Sequence, residues 1–388
     1  MDKIEEVLTR GVLQILPNKK GLTDLMAKRK IKLYQGFDPS MPSLHLGNFV
    51  GLMKLRQFQK LGHEVIFLVG DFTGMIGDPS DKLSTRPKLT REQVVKNSKA
   101  YKEQASKVLD FAGFNPAKIL FNSGWEDKVS FKDLIEITSN FTVQQLIERD
   151  MFQARLKDGK PIYLHEFLYP VAQGYDSVAM GVDLEIGGSD QIFNMLTGRT
   201  LMKAIKGKEK YVLATKLLID KEGQKVGKTT GNALFLDSTP DNFYAGIMSF
   251  PDEVIPLSFE LLTELNLGGI EEKAKKDPMG EKKRLAFEIV KFLWGENSAK
   301  NAQEAFKTTF QKRQTPGLIQ IIKIAEKSPP LLDLVLATKL VTSRSEAKRL
   351  ISQNAIDVEG KTISDTTREV ILPATIKIGK TKFVKFVC

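Results

Sequence analysis

IKLYQGFDPSMPSLHLGNFVGLMKLRQFQKLGHEVIFLVGDF, residues 31–72, is the stretch that decides the fold. It opens and closes on two apolar runs, IKLYQGF and EVIFLVGDF, of the length and character of buried strands. Between them Leu46, Phe49, Val50 and Met53 recur at i, i+3, i+4 and i+7, the spacing of one helix face. Strand, helix, strand in that order predicts a β-α-β unit, because parallel strands need a crossover connection and a helix is its usual form.

The same alternation extends outward. AKILF, VDLEIGG and YVLATKLLI are further strand candidates, and residues 131–180 read as mostly helical. A Rossmann-like α/β catalytic domain over residues 1–236 follows. Beyond Leu236 the pattern changes: Thr239-Pro240 is an N-cap followed by proline at the first helical position, and the apolar spacing becomes helical. A helical domain is expected over 237–326, including EKKRLAFEIVKFLWG. Lys327-Ser328-Pro329-Pro330 reads as a linker, since consecutive prolines lack backbone donors and disfavour helix before them. Residues 331–388 then form a small α+β module. Its signals are a cap at Ser343 with Glu346 three residues on, a strand ending in Val358-Glu359-Gly360-Lys361, and a hairpin turning at Gly379-Lys380.

Composition limits the chemistry. The 388 residues allow two or three domains with their own cores. The one cysteine, Cys388, excludes an intramolecular disulfide and a thiolate zinc site, and three histidines leave little for a histidine metal cluster. The first residues lack the basic-then-apolar order of a secretory signal, and no apolar run approaches the roughly 18 residues of a membrane span. A cytoplasmic protein without a membrane partner is expected. The net charge of +11 suits a polyanion, although charge alone fits a solvated surface equally well.

Two motifs carry the chemistry. In Pro42-Ser43-Leu44-His45-Leu46-Gly47-Asn48 a helix begins directly after a strand, so unpaired backbone N–H groups and the positive dipole end meet a ligand. Gly47 permits close approach, and His45 and Asn48 add side-chain donors. Alone, the heptapeptide is as readily a capped β-α turn. The second motif, Gly223-Gln224-Lys225-Val226-Gly227-Lys228-Thr229, places two lysines around a glycine, able to follow phosphate charge as it develops. Alone, it reads better as a solvated loop. Elsewhere Tyr169, Gln173 and Asp176 share one helix face at spacings of four and three. Asp176 stands among apolar neighbours, where a carboxylate is costly to bury without a partner.

Taken in this order, the two motifs resemble the HIGH and KMSKS signatures of class I aminoacyl-tRNA synthetases. Asn48 stands where the second histidine is usual, and Val226, Gly227 and Thr229 replace Met, Ser and Ser. Over nearly the whole chain the resemblance narrows to the bacterial-type tyrosine members of that family. It implies that His45, Asn48, Lys225 and Lys228 are catalytic, and that ATP is bound by these four with Gly36, Asp38, Gly47, Gly188, Asp190, Gln191 and Thr229. It implies that Tyr34 and Asp176 hold the hydroxyl of tyrosine, while Tyr169, Gln173 and Asp78 hold its α-ammonium. Magnesium arrives with ATP, and no residue is assigned to a metal. The partners implied are tRNA(Tyr), L-tyrosine and a second copy of the chain in a homodimer. The C-terminal module resembles an S4-type RNA-binding domain, with ten Lys or Arg against six Asp or Glu and with Arg344, Lys348 and Arg349 on its exposed helix face. The rivals are the tryptophan enzyme, which usually lacks the tail and the Tyr34/Asp176 pair, a small-molecule nucleotidylyltransferase, and a non-catalytic RNA-binding relative.

Overall fold

A computed structural model describes residues 3–80, 88–227, 233–308, 320–324, 326–338, 340–341, 343–379 and 382–387. Lys228 and Thr229 lie outside the described residues.

The 31–72 stretch folds as its periodicity requires. Strands β2 (Lys32–Phe37) and β3 (Glu64–Val69) pair in parallel, Lys32 opposite Glu64 through Phe37 opposite Val69, and the Leu46–Lys60 helix crosses between them. With β1 (Val12–Leu16), β4 (Lys118–Phe121), β5 (Leu184–Gly188) and β6 (Tyr211–Thr215) they form a six-stranded sheet in the order β1-β6-β5-β2-β3-β4. All pairings are parallel except β1 with β6. The sequence gives no sign of β1: its exposure pattern, half-exposed at Val12 and open at Leu13 and Gln14, is that of an edge, not of a buried apolar run.

Strand order reverses between β2 and β5. From β2 the chain moves outward through β3 and β4, and from β5 it moves the other way to β6. Helices leave adjacent strands toward opposite faces at such a point, and a crevice opens at the strand C-termini. One wall of the crevice is the Leu164–Met180 helix, packed closely on the Ile192–Lys206 helix. Glycine makes that approach possible. A Cβ at Gly174 would lie 3.0 Å from the Gly198 nitrogen, and one at Gly198 would lie 2.6 Å from Lys210 Nζ.

The chain divides into two compact units, residues 1–300 and 301–388. Within the first, the Pro240–Met248 helix begins at the Thr239 cap, and Arg10 donates to the Phe259, Glu260, Thr263 and Leu265 carbonyls at and beyond the end of the Ile255–Leu262 helix. In the second, five strands run in the order β7-β11-β10-β8-β9: β7 (Gln320–Lys323), β8 (Ile356–Val358), β9 (Lys361–Thr362), β10 (Ala374–Ile378) and β11 (Lys382–Val387). The turn between β8 and β9 has positive φ at both Glu359 and Gly360, the geometry that matches strand twist in a two-residue hairpin. The 327–330 run, expected as a linker, is tied into this unit. Lys327 O accepts from Leu372 N–H, Pro329 O from Val370 N–H, and Leu331 N–H donates to Arg368 O. Prolines lack a donor but keep both acceptors, which is how the segment joins the fold. On the Arg344–Ser352 helix, Arg344, Lys348 and Arg349 are exposed, and Ser343 caps the helix by accepting from Glu346 N–H.

Candidate active site

At the head of the Leu46–Lys60 helix, His45 and Asn48 cap each other. His45 Nδ1 accepts from Asn48 N–H at 3.3 Å, and Asn48 Oδ1 accepts from His45 N–H at 2.9 Å. This reciprocal cap satisfies one of the orphan donors of the first turn and sets the tautomer: with Nδ1 accepting, a neutral imidazole carries its proton on Nε2. With its oxygen held in the cap, Asn48 keeps its NH2 group as a donor, and His45 keeps its Nε2–H. A Cβ at Gly47 would lie 2.9 Å from His45 Cε1, so any larger residue there would push the imidazole out of its cap.

The second motif arrives at the same place. Leu46 N–H donates to Leu234 O, Leu236 N–H to Leu44 O, and Leu234 N–H to Gly227 O. Gly227, at φ +72, sits so close to Leu46 that a Cβ would be 2.8 Å from its Cδ2. Two segments some 190 residues apart in sequence are therefore stitched into one short extended pairing beside the helix N-terminus. Lys225 reaches across to the tract after β5, where its Nζ bonds Asp190 Oδ2 at 2.7 Å. Gly36, inside the central strand β2, is exposed, with open space where a Cβ would stand.

Deeper in the crevice a run of hydrogen bonds links four segments. Tyr169 OH donates to Asp38 Oδ2 at 2.8 Å, Thr73 Oγ1 donates to Asp38 Oδ1 at 2.7 Å, and Asn122 Nδ2 donates to Thr73 Oγ1 at 3.0 Å. Asn122 also donates to Asp176 Oδ2 at 3.3 Å, and Trp125 Nε1 donates to Asp176 Oδ1 at 2.8 Å. Asp176 is only 2% exposed. Burial, then the charge of Glu126, raises its carboxyl well above the usual range, while the bonds from Trp125 and Asn122 pull the other way. Tyr34 lies fully buried beside it, its OH 2.9 Å from Ser177 Oγ. Burial, reinforced by the charges of Glu185 and Asp176, pushes the phenol upward, so it stays protonated.

The chain has counterparts among known proteins. Residues 26–311 match the family described as tRNA synthetases class I (W and Y). A tyrosine–tRNA ligase of Aquifex aeolicus is 40% identical over 387 residues, covering 98% of this chain and 97% of the relative. That of Thermotoga maritima is 40% identical, covering 98% and 96%.

The chain belongs to the tyrosine–tRNA ligase family.

As a member it is a class I aminoacyl-tRNA ligase with a Rossmann-like core. Solved structures share the fold: a truncated mitochondrial tyrosyl-tRNA synthetase of Aspergillus nidulans superposes with TM-score 0.69 at 22% identity over 79% of this chain and 94% of that one. The Archaeoglobus fulgidus tyrosyl-tRNA synthetase complexed with L-tyrosine gives TM-score 0.57 at 19% identity over 78% and 100%.

Within this tyrosine–tRNA ligase scaffold several residues singled out from the sequence bond one another: Tyr169 with Asp38, Lys225 with Asp190 and Gln191 with Asp78. Asp78 Oδ2 accepts from Gln191 Nε2 at 2.7 Å, which ties it to the Gly188–Gln191 tract. Gln173 Nε2 donates to Glu185 Oε1 at 2.9 Å. Thr73, Asn122, Trp125, Ser177, Glu185 and Lys210 escaped sequence reading. Only Glu185 carried a local signal, a charge between Leu184 and Ile186 in an otherwise apolar strand run.

Glu126, next to Trp125, is buried, and its Oε1 meets no donor among the described residues. Burial, with the Asp127 charge second, pushes its carboxyl up to about 8. A carboxyl raised on folding binds its proton more tightly in the native state, so its contribution is lost as pH rises from about 4.3, the unfolded value, toward the native value. Glu126→Gln removes that slope. Denaturant unfolding at pH 5.5 and 8.5 should show the variant gaining on the natural protein by a few kcal/mol, order of magnitude, at the higher pH. A gain that shrinks with pH refutes this account.

Proposed function

We propose that the crevice between β2 and β5 activates L-tyrosine with ATP and passes it to the 3′ end of tRNA(Tyr), with His45, Asn48, Lys225 and Lys228 as the catalytic groups. The pairing of residues 44–46 with 234–236, with Gly227 seated on Leu46, carries this reading, because it brings both phosphate-directed motifs to one helix N-terminus. The tyrosine carboxylate attacks the α-phosphorus and pyrophosphate leaves. The protein supplies orientation and positive charge, and no side chain serves as nucleophile. His45 and Asn48 meet the phosphates at the helix head, and Lys225 and Lys228 stabilise the departing charge. Gly36, Asp38, Gly47, Gly188, Asp190, Gln191 and Thr229 line the ATP subsite. Tyr34 and Asp176 read the phenol, and Tyr169, Gln173 and Asp78 the α-ammonium. Magnesium brought with the nucleotide would add positive charge at the phosphates, and no side chain of this protein is assigned to hold it. The terminal ribose hydroxyl of tRNA, the 2′ in this class, then attacks the carbonyl carbon of the mixed anhydride, the bond to the adenylate oxygen breaks, and AMP leaves.

Three parts divide this work: the α/β domain over 1–236, the helical segment from 237 onward for the tRNA anticodon arm, and the S4-like module, where exposed Arg344, Lys348 and Arg349 meet RNA phosphates. A homodimer is supported by apolar exposure. Seven of the large hydrophobic side chains left open, Phe121, Phe131, Ile135, Val143, Leu156, Tyr163 and Leu164, fall in the stretch of chain that runs from the end of edge strand β4 to residue 164. No helix among the described residues is long and apolar enough to cross a membrane, and a cytoplasmic site of action fits the translation chemistry.

The deciding experiment is amino-acid-dependent exchange of pyrophosphate into ATP, with the solution mass measured on the same sample. Exchange with tyrosine far above tryptophan and phenylalanine is expected, at a mass near twice 43.5 kDa. Exchange driven by tryptophan, or by no amino acid, overturns the assignment.

A further inference from the structure

Beneath the pocket lies a charge pair that neither catalysis nor sheet formation requires. Lys210 Nζ and Glu185 Oε2 are within hydrogen-bond contact, and the residues are 0% and 1% exposed. Lys210 also donates to Met195 O at 2.9 Å and fits between the two packed helices because residue 198 is glycine. The other oxygen of Glu185 accepts from Gln173 Nε2 at 2.9 Å. A carboxylate held by lysine can only accept, so the amide of Gln173 must turn its NH2 group toward Glu185. Its oxygen then points elsewhere. Gln173 Oε1 is buried and meets no donor among the described residues.

We propose that Glu185, held by Lys210, is the positioning residue that fixes the amide of Gln173 so that its oxygen accepts from the α-ammonium of the amino acid. This deepens the functional reading above, since it rests on Gln173 holding that ammonium. An amide left to itself offers either a donor or an acceptor. Against a cation only the acceptor orientation binds, and the buried pair selects it before the substrate arrives.

Glu185→Gln inverts the logic while keeping the shape. Lys210 retains the oxygen of the new amide, whose NH2 then faces Gln173. Gln173 must turn its own oxygen inward and present NH2 to the ammonium. Calorimetric binding of L-tyrosine and of its desamino analogue, 3-(4-hydroxyphenyl)propionate, reads this directly. In E185Q, L-tyrosine should weaken roughly ten- to hundredfold, the scale of a lost hydrogen bond to a charge, while the analogue is unchanged. A purely structural role would lower the melting temperature and weaken both ligands alike. Equal weakening, or no change in a folded variant, overturns the proposal. Should E185Q fail to fold, the double variant E185Q/K210M removes the cation, lets the two amides pair either way, and should give a smaller loss confined to L-tyrosine. A loss shared with the analogue there also overturns it. Natural protein that binds the two ligands equally rejects Gln173 as the ammonium site, and this inference with it. Natural protein that prefers L-tyrosine, beside an unaltered E185Q, rejects only the role of Glu185.

Discussion

Asp176→Ala is expected to collapse the preference for tyrosine over phenylalanine in pyrophosphate exchange. The carboxylate, 2% exposed, is the meeting point of Trp125 Nε1 and Asn122 Nδ2 at 2.8 and 3.3 Å. Removing it deletes the acceptor offered to the phenol, strips Trp125 Nε1 of that same acceptor and leaves Asn122 Nδ2 with its bond to Thr73, a loss of about 1–3 kcal/mol for an unsatisfied donor. A site built to hydrogen-bond a substrate hydroxyl rejects the analogue lacking it by about 10⁴–10⁵; tyrosine enzymes are themselves the standard example of this magnitude, which is an established value and no outcome of the present geometry. Without that acceptor, discrimination should fall to about 10² or below, the range of an apolar pocket judging size alone. Parallel kcat/KM values for the two amino acids provide the check. Asp176→Asn, which keeps the volume and can still accept from Trp125, separates loss of fold from loss of recognition. An unchanged ratio in folded D176A would mean that the phenol binds elsewhere.

The second large effect is expected from Lys225→Ala. Its ammonium pairs with Asp190 on the tract after β5, two residues before Gly227 meets Leu46. A cation that acts on developing charge contributes to the transition state more than to the ground state. The exchange kcat should fall by about 10²–10³, the usual scale for one preorganised donor, with KM for tyrosine unaltered. Lys228→Ala should behave likewise. The opposite split, a raised KM at constant kcat, would assign Lys225 to amino-acid binding and displace the loop from the phosphates.

The two predictions differ in what foretold them. Asp176 stood out in the sequence as a carboxylate among apolar residues at helical spacing from Tyr169 and Gln173, and the structure brings all three to the crevice. Its holders did not stand out, because Asn122 and Trp125 reach it from the end of β4, over fifty residues earlier. Asp78 shows the converse. The family resemblance singled it out, yet its partner is Gln191, more than a hundred residues away. No local spacing encodes that choice.

The chain alone was sufficient for whatever depends on nearest neighbours: the β-α-β unit from its periodicities, the caps at Thr239 and Ser343 from residue type, and the glycine after His45 from the sharp approach it serves. Folding was needed for everything that depends on which distant groups meet. The antiparallel edge strand Val12–Leu16, the buried Glu185–Lys210 pair, the Asp38–Thr73–Asn122–Asp176 chain and the seat of Gly227 on Leu46 all arise that way. The physical reason is that a side chain's periodicity is written by its own backbone, whereas its burial, its ionisation and its hydrogen-bond partner are written by surfaces that exist only once the sheet and helices have packed.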